Sequence, residues 1–221
     1  MSIRSHSAGF TLVETLVVVA IIGVLTTLAG TAVFHGTARV RVSNAAFEVS
    51  ALYAAAQMRA SSMGVPHYVV FHDDGTQFGA YLLERPDSLG AFNWASEDVL
   101  NQAAVGGTWH DYLRLSNEGG LGFSNLDKAG LEALPAPFTA IPLAPPEADA
   151  DRLLGGCSFC TTGVGGTRGV IRFSPNGTVQ VMTGGAEAGG AIAFAPDARG
   201  GQSGPPRLVV IAAPAGAIRV Y

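Results

Sequence analysis

An uninterrupted apolar run near the N-terminus constrains this chain more than any other feature. No charged residue occurs from Thr15 to Phe34, and one acid, Glu14, stands at the start of the run. Twenty residues span about 30 Å as a helix, roughly the thickness of the hydrocarbon core of a bilayer. The sequence therefore predicts a membrane-spanning helix, in which the Glu14 carboxylate costs about 2.5–3.5 kcal/mol unless it finds a partner.

The residues before this run form a short leader, 1–9, that contains Arg4 and no acid. By the positive-inside rule the leader stays on the cytoplasmic side, so the rest of the chain lies across the membrane. A secretory signal peptide has a similar outline, but the apolar segment here is too long and no small-residue cleavage site follows it cleanly. We therefore expect a single-pass membrane protein.

Helical periodicity continues beyond the apolar run. Apolar residues recur at intervals of three and four from Val42 to Met63, and Gly64 and Pro66 then end the pattern. We predict one long helix with a membrane-spanning part, 10–35, and an amphipathic continuation, 36–64.

The remaining residues, 65–221, indicate a β-rich globular domain, because short β-branched and aromatic runs alternate with turn residues. Consecutive strands with short turns imply an antiparallel sheet. Asn176-Gly177 predicts a type I′ hairpin turn, and 84–166 is interpreted as an elaborated insertion. The predicted strands are His67–Phe71, Phe78–Leu83, Tyr112–Leu115, Val170–Ser174, Val179–Met182, Ala191–Ala195, Leu208–Ala212 and Ile218–Tyr221.

The predicted fold class is α+β. A long N-terminal helix, whose first half is transmembrane, packs through its second half on a small antiparallel β-sheet domain. The many glycines and prolines, 29 and 12, agree with a domain rich in turns rather than a helical bundle.

Two cysteines, Cys157 and Cys160, allow three interpretations. A thioredoxin-like redox pair requires its first cysteine at a helix N-terminus, and a Gly-rich loop follows here instead. A metal knuckle requires two further soft ligands, and the chain has no second cysteine pair. A structural disulfide that closes an exposed loop is preferred, and a membrane-anchored thiol enzyme is kept as an alternative.

Other patterns of enzyme or metal chemistry are absent from the sequence. There is no nucleophile elbow, phosphate loop or zinc-protease helix, so we predict no enzymatic activity and no cofactor. The histidines show no ligand spacing, so we predict no metal site; they are His6, His35, His67, His72 and His110.

The segment Gly9-Phe10-Thr11-Leu12-Val13-Glu14 resembles the prepilin processing motif of type IV pilins and pseudopilins. In that family a short basic leader ends in Gly, an aromatic residue follows, Glu is the fifth residue of the mature chain, and an apolar helix continues. Three further stretches are similar to the FimT/GspH-type minor pseudopilins, whereas 84–166 is not covered; they are 59–66, 170–177 and 207–221.

This resemblance implies that a prepilin peptidase cuts between Gly9 and Phe10 and methylates the new amine of Phe10. The subunit would wait in the bacterial inner membrane, surrounded by lipid, with its C-terminal domain in the periplasm. It would then join other pilin or pseudopilin subunits at an inner-membrane assembly platform. Glu14 would pair with the Phe10 amine of a neighbour and set the register, because each charge alone is costly in an apolar bundle.

The implied function is that of a minor pilin or pseudopilin in a type IV pilus or a type II secretion pseudopilus, priming assembly or capping the tip. The alternative is a DNA- or substrate-binding minor pilin, with Arg199, Arg207 and Arg219 as weak DNA contacts. A net charge of −4 argues against non-specific nucleic-acid binding. Some DNA-binding relatives carry Gly-Arg-x-Arg, and Ala217 replaces the first arginine here.

Overall fold

The computed structural model describes residues 11–73, 78–115, 121–123, 134–141, 157–163, 166–184, 188–196 and 207–221. The chain divides into two compact units, Met1–Thr37 and Ala38–Tyr221. One helix, α1 (Leu12–Met63), belongs to both units. It ends as predicted at Gly64, which has φ +68° and whose N–H donates to the Ala60 carbonyl at 3.1 Å.

The described residues of the second unit form ten strands in two antiparallel sheets, where the sequence predicted a single sheet. Sheet A has the order β3-β2-β1-β6-β5, with β7 also paired to β6, and sheet B has the order β10-β9-β8-β4. The strands are β1 (His67–Asp73), β2 (Phe78–Glu84), β3 (Thr108–Arg114), β4 (Leu121–Phe123), β5 (Thr161–Gly163), β6 (Gly166–Phe173), β7 (Val179–Val181), β8 (Gly189–Pro196), β9 (Arg207–Ala212) and β10 (Ala217–Val220).

The C-terminal half of α1 packs on one face of each sheet, so the predicted α+β class is confirmed. Helix positions at intervals of three and four are buried there, among them Val49, Tyr53 and Ala56. Sheet A contributes residues of β1, β2, β6 and β7, and sheet B contributes residues of β8 and β9. The sheet residues of this central core are Val69, Phe71, Phe78, Ala80, Leu82, Ile171, Phe173, Val179, Ile192, Phe194, Val209 and Ile211.

The opposite face of each sheet is covered by a segment from the predicted insertion. Residues 85–107, which include the short helix α2 (Gln102–Val105) and a 3₁₀ turn at Asp87–Leu89, cover sheet A with Trp94 and Val99. Residues 134–141 cover sheet B with Leu134 and Phe138. Since β3, β4 and β5 also come from 84–166, the described parts of this stretch are integral to both sheets.

The hairpin between β6 and β7 has a different turn from the one predicted. Among the described residues only glycines have positive φ, so Asn176 does not, whereas a type I′ turn requires it at both central positions. The Gly177 N–H instead donates to the Ser174 carbonyl at 2.9 Å, and Gly177 has φ +83°. This is a type I turn followed by a left-handed glycine, the common form of the three-residue loop.

Candidate functional site

The first turn of α1 is capped by a residue of the predicted motif. The hydroxyl of Thr11 accepts a hydrogen bond from the backbone N–H of Glu14 at 3.3 Å. Thr11 and Glu14 have the Thr-x-x-Glu spacing of a capping box. The positive end of the helix dipole also favours a carboxylate in this turn. Glu14 is therefore compatible with a helical N-terminus despite the apolar residues that follow.

The side chain of Glu14 is exposed, and within the described residues its carboxylate has no hydrogen-bond or ion-pair partner. It is also the one charged residue of Leu12–Gly30, the segment that is long and apolar enough to cross a membrane. A charge in such a position is costly in lipid or in an apolar bundle until an opposite charge neutralises it.

Apart from Glu14, the segment Leu12–Gly30 is apolar on every side. Its large side chains are between 46% and 80% exposed, and none of the segment is buried. A helix that is apolar all round requires an apolar environment all round, either lipid or other helices. The exposed side chains are Leu12, Val13, Leu16, Val17, Val18, Val19, Ile21, Ile22, Val24, Leu25 and Leu28.

An apolar stripe continues along the second half of α1, on the side opposite the domain. Its five members lie within an arc of about 60° at 100° per residue, and all are exposed, with Phe47 at 60% and Met58 at 68%. We call it the outer stripe; its residues are Val40, Phe47, Ala51, Ala54 and Met58.

A protein-family model described as the prokaryotic N-terminal methylation motif matches residues 4–30. The chain carries a type IV pilin-like prepilin motif. The match spans the predicted cleavage site, Gly9–Phe10, as well as Glu14. No curated protein and no solved structure matches the chain significantly.

The prepilin motif implies processing by a prepilin peptidase and assembly with other pilins in general. Together with the apolar helix, it is consistent with anchoring in a membrane. The leader, 1–9, and Phe10 lie outside the described residues, so the cleavage site stays a prediction.

Cys157 and Cys160 form a disulfide. The predicted exposure of their loop is wrong, because both cysteines belong to the central core and are only 1% and 8% exposed. Cys157 forms a β-bridge with Ile192 of β8, and Cys160 immediately precedes β5 of sheet A. The disulfide loop, 157–160, therefore lies in the central core and links sheet B to sheet A.

Hydrogen bonds fix the disulfide loop to both sheets. The Ser158 N–H donates to the Ala191 carbonyl, and the Ala191 N–H donates to the Ser158 hydroxyl, each at 2.9 Å. The Thr183 hydroxyl donates to the Phe159 carbonyl at 2.7 Å and accepts from the Val170 N–H at 3.0 Å. These paired contacts are typical of a structural element rather than of a mobile reactive loop.

The candidate DNA-contacting arginines do not form one patch in the described structure. Arg207 begins β9 and lies on the same face as Val209, which faces the central core, whereas Arg219 pairs with Val210, which faces the other side of sheet B. Successive side chains of a strand point to opposite faces, so Arg207 and Arg219 lie on opposite faces. Arg199 lies outside the described residues.

The structure also brings together three residues that the sequence left unconnected. His67, Glu84 and His110 lie on the neighbouring strands β1, β2 and β3, with their ligand atoms within 4.8 Å of one another. Strand pairing places His67 directly opposite Glu84. That pair follows from the β1–β2 hairpin and was accessible from the sequence, whereas the position of His110 depends on a register shift in β3.

Proposed function

We propose that this chain is a minor pilin or pseudopilin of the FimT/GspH type, a structural subunit that joins a filament through α1. Before assembly α1 anchors it in the inner membrane, with the C-terminal domain in the periplasm. The observation that carries the proposal is the position of Glu14, the one charged residue of an exposed, apolar helix that begins inside the prepilin motif.

The charge of Glu14 explains why a neighbouring subunit would be recognised. Cleavage after Gly9 creates a new positive amine on Phe10, and that amine and the Glu14 carboxylate are each penalised in an apolar bundle. Pairing them between subunits relieves both penalties, whereas a shifted register leaves both charges unpaired. The pair therefore sets the axial position of one helix against the next.

The outer stripe supports assembly along more of α1 than the membrane segment. The domain covers the side of the helix that carries Val49 and Tyr53 and leaves the stripe uncovered. Phe47 and Met58 on this stripe would gain about 25 cal/mol for each Å² of apolar surface that a neighbouring helix buries. The second half of the helix would then contribute to subunit contacts in the periplasm.

Replacing Glu14 by Ala tests the proposal. Cleavage of the leader, measured by N-terminal mass in cells with the prepilin peptidase, should persist in Glu14→Ala. Co-assembly with partner subunits, measured by crosslinking and recovery of sheared filaments, should be lost. Glu48→Ala is the matched control, because Glu48 is an exposed acid of the same helix outside the motif. Wild-type assembly by Glu14→Ala, or equal loss in Glu48→Ala, would rule out the register-setting role.

A further inference from the structure

One end of sheet A, where β1 begins shortly after the end of α1, carries a cluster of two imidazoles and one carboxylate. His67 opens β1, Glu84 closes β2 directly opposite it, and His110 lies on the next strand, β3. The His110 Nε2 and Glu84 Oε2 atoms are 3.2 Å apart, and the His67 and His110 rings lie nearly parallel, with centroids 5.9 Å apart.

His67 is held in the tautomer that a metal ligand requires. Its Nδ1 lies 2.9 Å from the Val65 carbonyl, which can only accept, so Nδ1 carries the proton and donates it. The lone pair of the neutral ring is then on Nε2. Metal-binding histidines commonly donate their other ring N–H to a backbone carbonyl in this manner, which fixes the ring orientation.

The Nε2 atom of His67 is buried and has no hydrogen-bond partner within the described residues. The whole residue is 0% exposed, so bulk water does not reach this lone pair. Buried polar atoms in native proteins are nearly always paired, and an unpaired one calls for an unseen ligand. The orphaned Nε2 atom calls for a ligand, and the adjacent Glu84–His110 pair offers two further donor atoms within 4.8 Å for the same ion.

From this geometry we infer that His67, Glu84 and His110 bind one divalent transition-metal ion, with zinc favoured by the two-nitrogen, one-oxygen donor set. Tetrahedral zinc with bonds of 2.0–2.2 Å places its ligand atoms about 3.4 Å apart. The Glu84 Oε2 and His110 Nε2 atoms, 3.2 Å apart, fit this value. All three ligand atoms lie within 4.8 Å of one another, so side-chain shifts would bring the whole set to the zinc spacing.

Access to the cluster is from the side of Glu84 and His110, whose side chains are 19% and 25% exposed. An ion can enter there, and a water molecule can take the fourth position, as in zinc sites with three protein ligands. The bound ion would join three neighbouring strands near the end of α1. Because it binds the folded chain, it would raise the stability of the domain.

The test uses the untagged full chain in detergent after removal of metal with a chelator. Zinc affinity is measured by competition with a chromophoric chelator, stoichiometry by elemental analysis, and geometry by the visible spectrum of the Co²⁺-loaded protein. We expect one ion per chain, a tetrahedral Co²⁺ spectrum, and a higher melting temperature with zinc.

Variants of the two partly exposed ligands keep the test independent of folding defects at buried His67. His110→Gln and Glu84→Gln should each weaken zinc binding by at least about tenfold, because even a residue that only hydrogen-bonds to a metal ligand contributes that much. Glu97→Gln, which changes an exposed acid outside the cluster, should bind as wild type. Absence of saturable micromolar zinc binding, or unchanged affinity in both cluster variants when circular dichroism shows them folded, would overturn the inference.

Discussion

The ring of Phe159 lies against Gly190, so closely that a β-carbon built on this glycine would be 2.5 Å from the ring Cδ1. Gly169 meets the same ring from the other sheet, where a β-carbon would be 2.6 Å from Cε2. Gly169 is on β6 of sheet A and Gly190 is on β8 of sheet B. The disulfide loop thus inserts an aromatic ring between the sheets, and each sheet makes room by omitting a side chain.

Replacing Gly190 by Ala should destabilise the domain by about 1–3 kcal/mol, because the added methyl group overpacks a closed site. Urea unfolding of the full chain, followed by tryptophan fluorescence, measures the change. A double-mutant cycle with Phe159→Leu provides the control, because a smaller side chain leaves space for the methyl group. Strictly additive effects of the two substitutions would contradict direct contact as the cause.

The disulfide should resist reduction in the folded protein, because Cys157 and Cys160 are buried. Thiol labelling with reductant should be slow under native conditions and fast in denaturant. The Cys157→Ala/Cys160→Ala pair should lose roughly 2 kcal/mol, the chain-entropy value for so short a loop. Rapid native-state reduction, or oxidoreductase turnover, would instead favour the thiol-enzyme alternative.

Stability should fall above about pH 10 because of Tyr53. Burial raises the pKa of Tyr53 well above its ordinary value of 10.0. The unfolded chain loses this proton first, so it binds fewer protons than the folded chain, and the free energy of unfolding decreases by up to about 1.4 kcal/mol per pH unit. Below pH 10 the contribution of Tyr53 is fully present.

Tyr53→Phe should remove this part of the alkaline slope, as measured by urea unfolding between pH 9 and pH 11. Near pH 7 it should change stability by less than about 1 kcal/mol, because the Tyr53 hydroxyl has no partner within the described residues. Burial also raises the pKa of Tyr68, partly opposed by Arg172, so some slope should remain. An unchanged slope in Tyr53→Phe would refute this assignment.

Arg85 organises the segment that covers the outer face of sheet A. Its Nε donates to the Val105 carbonyl and its Nη1 to the Gly90 carbonyl, both at 2.8 Å, and the residue is 5% exposed. Arg85→Lys should cost about 2 kcal/mol, because an ammonium group cannot reproduce the guanidinium fork. Arg219→Lys, at an exposed position, is the control and should change unfolding by less than about 0.5 kcal/mol.

Phe47→Ser should separate assembly from folding on the outer stripe. Phe47 is 60% exposed in the single chain, so the free energy of unfolding should change by no more than about 0.5 kcal/mol. Recovery of subunits in filaments should decrease, because an apolar contact with a neighbour is lost. Asn44→Ala, also exposed on α1, should assemble normally. Full incorporation of Phe47→Ser would exclude the stripe from the interface.

Local patterns predicted most of the helix and the strands. The end of α1 at Gly64, the β1–β2 hairpin and the three C-terminal strands follow from periodicity and turn residues over short stretches. The short strands β4 and β5 were not predicted, because three residues carry too little periodicity to detect without a turn motif such as the Asn176-Gly177 that marks β7. The turn at Gly177 was placed correctly, but its type depends on how β6 and β7 pair.

In the candidate sites too, features of consecutive residues were predicted, whereas features that depend on tertiary packing were not. The processing motif was recognised from consecutive residues, and the family model matches that region. The burial of the disulfide loop was not foreseen, because it depends on where two sheets meet around Phe159. The separation of Arg207 from Arg219 likewise depends on strand register, which fixes the face that each side chain occupies.

The sequence by itself determined the apolar helix, the position of its acid and the motif around them, because these are properties of adjacent residues. Only the tertiary structure decided that His67, Glu84 and His110 meet, since they are brought together by pairing of three strands and a register shift in the third. Long-range pairing is set by the packing of the whole domain, so it cannot be inferred from the spacing of residues along the chain.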